Sequence, residues 1–326
     1  MIVPARRRTR TEEKVISFLC LWALMVMLVA ACGGRPKQQE PPRHAEANSL
    51  ASKGSYWFRQ GCFERAERYF YQALEASLLV DDLEGIVRAR NNLGAAALAQ
   101  GHYLEAGEQL QKALEINSVL KNTREQSLTL GNLGSLAYKA ERYREAEELW
   151  EKGLVAAQED PDQTGLAMHL NNLGMLRLHQ GRLSEAESLL QRAMAKAEQG
   201  GSGSTLANSH IQLGLVAQAR GDIAGAEEHL SLALEIDKAA ENAAGIANDL
   251  ELLGTFHQQQ QQWNQAALEF DRAIQLYATL GEREKVVQLY DFLKTNQAGG
   301  GVPESLESYE PLLVPPDEFW ESPLCR

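Results

Sequence analysis

Positive charge is scarce in this chain: 32 lysines and arginines stand against 44 aspartates and glutamates, giving a formal charge of −12. Residues 1–31 hold five of the basic groups and two of the acidic ones, so the remainder carries −15. No stripe of Lys or Arg recurs that could release counterions from phosphate, which excludes nucleic acid and leaves basic protein surfaces as the plausible partners. Motifs that carry chemistry are missing as well. There is no glycine-rich phosphate loop, no nucleophile elbow and no His-Glu-x-x-His. The seven histidines, His44, His102, His169, His179, His210, His229 and His257, never pair at metal-ligand spacing along one helix, so neither metal nor cofactor is expected. Carboxylates are plentiful, yet Glu67, Glu147, Glu187 and Glu227 recur at one place and read as helix-surface charge. The expectation is a protein that is not an enzyme and takes no small-molecule substrate. Cysteine is sparse too. Of four, Cys20 lies in the leading apolar stretch and Cys32 directly follows it, leaving Cys62 and Cys325, which lie at opposite ends of the array; two free thiols are expected.

What is present is a period. Gly54, Gly94, Gly134, Gly174, Gly214 and Gly254 fall forty residues apart, and twelve residues after each comes Ala66, Ala106, Ala146, Ala186, Ala226 or Ala266. Seven positions further stand Ala73, Ala113, Gly153, Ala193, Ala233 and Ala273. Between the first two columns lies a turn at Gly61, Gly101, Gly181 and Gly221, with Glu141 and Gln261 in the other two copies. Six helix-turn-helix hairpins are predicted, their small residues allowing close helix approach. Phe70, Leu110, Trp150, Leu190, Leu230 and Phe270 fill the space between neighbours. Helix starts are signalled by Asp82, by Thr123 with Gln126, by Asp162 or Thr164, by Ser204 or Thr205, and by Asn242. Glu282 to Thr295 is spaced as an amphipathic helix that would cap the last hairpin.

These columns resemble the tetratricopeptide repeat, with its Leu-Gly, aromatic and alanine pattern, from about Asn48 to Tyr277, and with the capping helix they make a domain over residues 48–297. The forty-residue period and the Asn-Asn-Leu-Gly at Asn91 and Asn171 are most similar to the long-helix variety of kinesin light chains. The resemblance implies an all-α fold: a right-handed α-solenoid of six hairpins plus the capping helix. It also implies that each first helix lines a concave groove into which the residue two places before the glycine points: Ser52, Asn92, Asn132, Asn172, Gln212 and Leu252. An amide ladder can bond an extended backbone, although asparagine is itself common there in this repeat. With Leu128, Met168, Tyr138 and Leu178 alongside, the expected ligand is a partly apolar peptide or helix near repeats two to four.

The two ends differ in kind. Arg6, Arg7, Arg8, Arg10 and Lys14 precede an uncharged apolar run from Val15 to Ala31, the pattern of an export signal over residues 1–31. Val29-Ala30-Ala31-Cys32 resembles a bacterial lipobox, which implies lipidation at Cys32; an uncleaved membrane anchor is the alternative reading. Gly33 after that cysteine implies the outer membrane, periplasmic face, with a lipid anchor in the cell membrane as the other location. Residues 32–47 read as a tether, and 298–326 as a disordered acidic tail rich in Pro and Gly. Its Phe319 and Trp320 leave open a motif that binds a partner or packs back on the array. The functional expectation is a lipid-anchored periplasmic scaffold that assembles an envelope machine, similar to pilus or secretion pilotins or to organisers of peptidoglycan hydrolases. The alternative is a non-catalytic or carbohydrate-binding subunit that supports a separate envelope enzyme.

Overall fold

The computed structural model describes residues 42–158, 160, 162–295, 309 and 325. Cys32, the leader before it and most of residues 298–326 lie outside that set. Thirteen helices follow one another among the described residues: α1 (Pro42–Arg59), α2 (Phe63–Leu78), α3 (Leu83–Ala99), α4 (Tyr103–Leu120), α5 (Thr123–Lys139), α6 (Tyr143–Ala157), α7 (Thr164–His179), α8 (Leu183–Gly200), α9 (Gly203–Arg220), α10 (Ile223–Ala239), α11 (Ala243–Gln259), α12 (Trp263–Leu280) and α13 (Arg283–Thr295). They pack as six consecutive hairpins and a cap, an α-solenoid. The first helix begins at Pro42, inside the segment expected to be tether. A proline suits the opening turn, where its fixed φ is preorganised and its missing N–H is not needed.

The small-residue columns are where helices cross. A Cβ on Gly94 would lie 2.6 Å from Leu110, and one on Gly134 only 2.4 Å from Trp150 Nε1. Trp150 is fully buried, and its indole N–H donates to the Gly131 carbonyl at 3.1 Å. Each such large side chain contributes about 1.5–3 kcal/mol by leaving water. The cap works the same way: Val286, Leu289, Tyr290 and Leu293 are buried, and Phe292 stacks edge-on with Phe270.

Turns repeat as strictly as helices. Gly61, Gly101, Gly181 and Gly221 have φ between 71° and 79°, and Glu141 and Gln261, which stand in for glycine, are held at φ 60°. A second left-handed column runs half a period away, through Asp81, Lys121, Gly201, Glu241 and Gly281. Caps follow it: Asp82 Oδ1 accepts from Gly85 N at 3.0 Å and Asn242 Oδ1 from Gly245 N at 3.2 Å, as expected. The cap of α5 is Asn122, bonded to Glu125 N, and not Thr123, which begins the helix. Asp162 accepts from the Thr164 amide, whereas Ser204 and Thr205 lie inside α9.

The expectation of two free thiols is overturned. Cys62 and Cys325 form a disulfide, with Cα atoms 5.3 Å apart. The reason is curvature: the turn of the first hairpin abuts the last one. Gln60 Nε2 donates to the Glu241 carbonyl at 2.9 Å, and a Cβ on Gly61 would be 3.4 Å from Leu280 and 3.5 Å from Ala244. Sequence ends that are far apart along the array are therefore neighbours in space. Tyr309 is the other described residue beyond 298; it is buried, its ring meets Tyr290, and its hydroxyl donates to Asp271.

Candidate functional site

The first helices of successive hairpins, α3 with α5, α5 with α7 and α7 with α9, touch one another, while no two second helices do so to the same degree. The array therefore bends with its first helices inside. Asn92, Asn132, Asn172 and Gln212 lie in a column along that inner surface, each half-buried. Leu128 and Met168 accompany them on α5 and α7, also half-buried. Met168 is partly spent on structure, since its Cε occupies the space beside Gly131. Tyr138 and Leu178 sit at the far ends of α5 and α7 and pack into the cores of the hairpin turns. Burial, with Tyr143 next to it, raises the Tyr138 phenol above its ordinary value.

Beneath the half-exposed amides runs a buried polar spine that ties one inner helix to the next. Asn91 donates to Glu125 Oε2 at 3.1 Å and accepts from Thr129 Oγ1 at 2.8 Å. Ser209 Oγ donates to Asn171 Oδ1 at 3.1 Å. Burial pushes the Glu125 carboxyl up, an effect the Asn91 amide partly offsets. Hydrogen bonds of this kind stabilise by about 1 kcal/mol each, and removing one partner leaves the other desolvated. Asn91 and Asn171 are thus structural, whereas their neighbours Asn92 and Asn172 are only half-buried. Asn132 makes one long contact, from Nδ2 to the Asn91 carbonyl at 3.5 Å.

Family models for the tetratricopeptide repeat match residues 46–118, 125–199 and 207–231, just over half of the chain. This is a tetratricopeptide-repeat protein. Solved structures share the fold at low identity. A Rap protein complexed with Competence and Sporulation Factor superposes with a TM-score of 0.56 at 13% identity, over 78% of this chain and 88% of its own. The Cut9-Hcn1 hetero-tetramer of the APC/C gives 0.53 at 15%, over 71% of this chain and 40% of that one. BtubC (BKLC) from P. vanneervenii gives 0.50 at 19%, over 66% and 91%. No curated protein matches.

Tetratricopeptide arrays are generally non-catalytic scaffolds, and no enzyme family is indicated. Among the described residues no three or more His, Cys, Asp or Glu are grouped to hold a metal. No described helix is long and apolar enough to cross a membrane. The hairpins do unite residues that helix spacing along the sequence separates. His210 and His229, on α9 and α10, face each other with Nδ1 atoms 3.0 Å apart, and burial followed by the His229 charge lowers the His210 pKa. Tyr138, Tyr143 and His179 form an aromatic cluster, with the Tyr143 and His179 rings 4.6 Å apart. A signal for both was available: each partner stands at a fixed offset from the repeat glycine or alanine, so aligning the six copies places them on facing helices.

Proposed function

We propose that this tetratricopeptide-repeat protein is a lipid-anchored adaptor on the periplasmic face of an outer membrane, holding components of an envelope machine through the inner groove of its array. The observation that carries this reading is the in-phase column of half-exposed amides at Asn92, Asn132, Asn172 and Gln212. Each offers a donor and an acceptor on one surface, suited to the backbone of an extended segment. Leu128 and Met168 beside them favour a partly apolar peptide or helix at repeats two to four. Two of the structural relatives were themselves solved with other molecules, Competence and Sporulation Factor and Hcn1. For the anchor, the support is the run Val15 to Ala31 ending at Ala31-Cys32, and for the outer membrane it is Gly33. A pilus or secretion pilotin and an organiser of peptidoglycan hydrolases both fit.

Two experiments test it. Palmitate labelling should be lost in Cys32→Ser, with an uncleaved precursor left behind; retained label would remove the lipoprotein assignment. Changing Asn92, Asn132 and Asn172 together to Ala should leave the fold intact and weaken capture of the partner from solubilised envelopes roughly 10-fold or more, at ~1 kcal/mol per lost hydrogen bond. Normal capture by that variant would rule out the groove.

A further inference from the structure

One pair of positions in each hairpin lies four residues before the repeat glycine and three after the repeat alanine. It holds Leu130 and Leu149 in repeat three, Leu170 and Leu189 in repeat four, and in repeat two Arg90 and Gln109, which are hydrogen-bonded at 2.8 Å. Repeat five places two metal-ligating side chains there, His210 on α9 and His229 on α10. Packing does not ask for them, since leucines fill the same positions in two other copies. Both imidazoles are only half-buried, so solvent ions reach them. Their Nδ1 atoms are 3.0 Å apart, in rings tilted at 46°. Glu198 and Glu228, both exposed, are near enough for their negative charge to act on His210.

We propose that His210 and His229 form a two-imidazole site for a divalent transition-metal ion in tetragonal coordination, copper(II) before others. With metal–nitrogen bonds of about 2.0–2.1 Å, nitrogens 3.0 Å apart subtend roughly 91–97° at the ion. That is close to the right angle between neighbouring ligands of a tetragonal ion, whereas tetrahedral zinc needs its nitrogens about 3.3–3.4 Å apart. Copper(II) also heads the affinity order of divalent first-row ions. The protonation state suits a ligand: burial, then the charge of His229, lowers the His210 pKa, so near neutral pH its ring is the uncharged form with a lone pair to give. Binding is a tautomer exchange. In the neutral pair one Nδ1–H donates to the other Nδ1; the donor ring moves that proton to its Nε2, and both Nδ1 lone pairs pass to the ion with no net proton released. Among the described residues no third ligand is grouped with them, so the remaining positions on the ion are open to water. The bound ion ties together the two helices of the fifth hairpin. Ligand spacing along a single helix misses such a pair, because a turn of the chain brings it together.

The probe is copper(II) itself, added to the full, tag-free chain in detergent micelles in competition with glycine. The bound species is read by electron spin-echo envelope modulation, which counts coordinated imidazoles. The unaltered chain with one equivalent of copper should show two. His210→Leu, His229→Leu and the double variant copy the leucines of repeats three and four and should fold. Each should lose the two-imidazole signal and bind more weakly by at least the roughly 10-fold that removing even a hydrogen-bond partner of a metal ligand costs. His229→Gln, which sets the residue of repeat two in that place, gives the same readout with a polar side chain should leucine disturb the hairpin. Copper should also raise the urea midpoint of the unaltered chain and not that of the double variant, since an ion held only by the folded state stabilises it. A single imidazole in the signal of the unaltered chain overturns the proposal. So does undiminished affinity in His229→Gln or in the double variant, which would mean an adventitious ion only.

Discussion

Gly153→Ala is the sharpest probe of the packing logic, because the other five repeats carry alanine at that position. In a helix interior the change should stabilise by about 0.5–1 kcal/mol. Here a Cβ would lie 2.1 Å from His169 Cε1 and 2.4 Å from Nε2. The imidazole cannot swing aside freely: it is fully buried, Nε2 is 2.9 Å from Ser127 Oγ, and Gly131 stands on its other side. Overpacking costs about 1–3 kcal/mol and losing the serine contact about 1 more, so the net effect should be a destabilisation of roughly 1–3 kcal/mol. In a His169→Ser background, which copies Ser209 of the fifth repeat, the same Gly153→Ala should turn stabilising by about 1 kcal/mol. The coupling is then about 2–4 kcal/mol. Urea denaturation of all four proteins, followed by circular dichroism with the slope checked for constancy, measures it. Equal stabilisation by Gly153→Ala in both backgrounds would refute the claim that this glycine makes room for the histidine.

Glu141→Gly and Gln261→Gly should each stabilise by about 1 kcal/mol, because both residues hold left-handed backbone that glycine adopts without penalty; a lowered urea midpoint would contradict this. His169 should make the array acid-sensitive: burial lowers its folded pKa to about 4 from 6.5, so its contribution is intact above pH 6.5 and lost as pH falls from there toward 4. His169→Ser should flatten that limb of the stability profile, and an unchanged limb would place the sensitivity elsewhere. Asp249 behaves oppositely. Burial, then the charge of Asp237, raises it to about 7 from 3.8, so stability is lost as pH rises through that interval. Asp249→Asn should therefore raise the urea midpoint at pH 8 and change it little at pH 3.5; an effect of equal size at both would mean that the pair's charge is not the cause.

The hairpins were legible because their constraint is local and steric. Gly94 against Leu110 and Gly254 against Phe270 leave no room for a side chain, and such a demand recurs identically in every copy. The second left-handed column was hidden, since Asp81, Lys121 and Glu241 occupy it in place of glycine. Sequence spacing likewise marked Asn92 without revealing that Asn91 is the buried member, because successive residues on a helix face different ways. Closure was the least legible feature. It depends on a small rotation per repeat added up over six, and no single residue encodes that sum. The pairing of Cys62 with Cys325 follows from it and could not be reached from separation along the chain.

The contact of Gln60 with Glu241 joins the first hairpin of the array to the turn before the last one. An open solenoid widens or narrows its groove by small changes spread along its length, so its compliance grows with every repeat added. An array whose ends touch is stiffer. Widening the groove must break the contact between the first and last hairpins as well as bend the repeats between them.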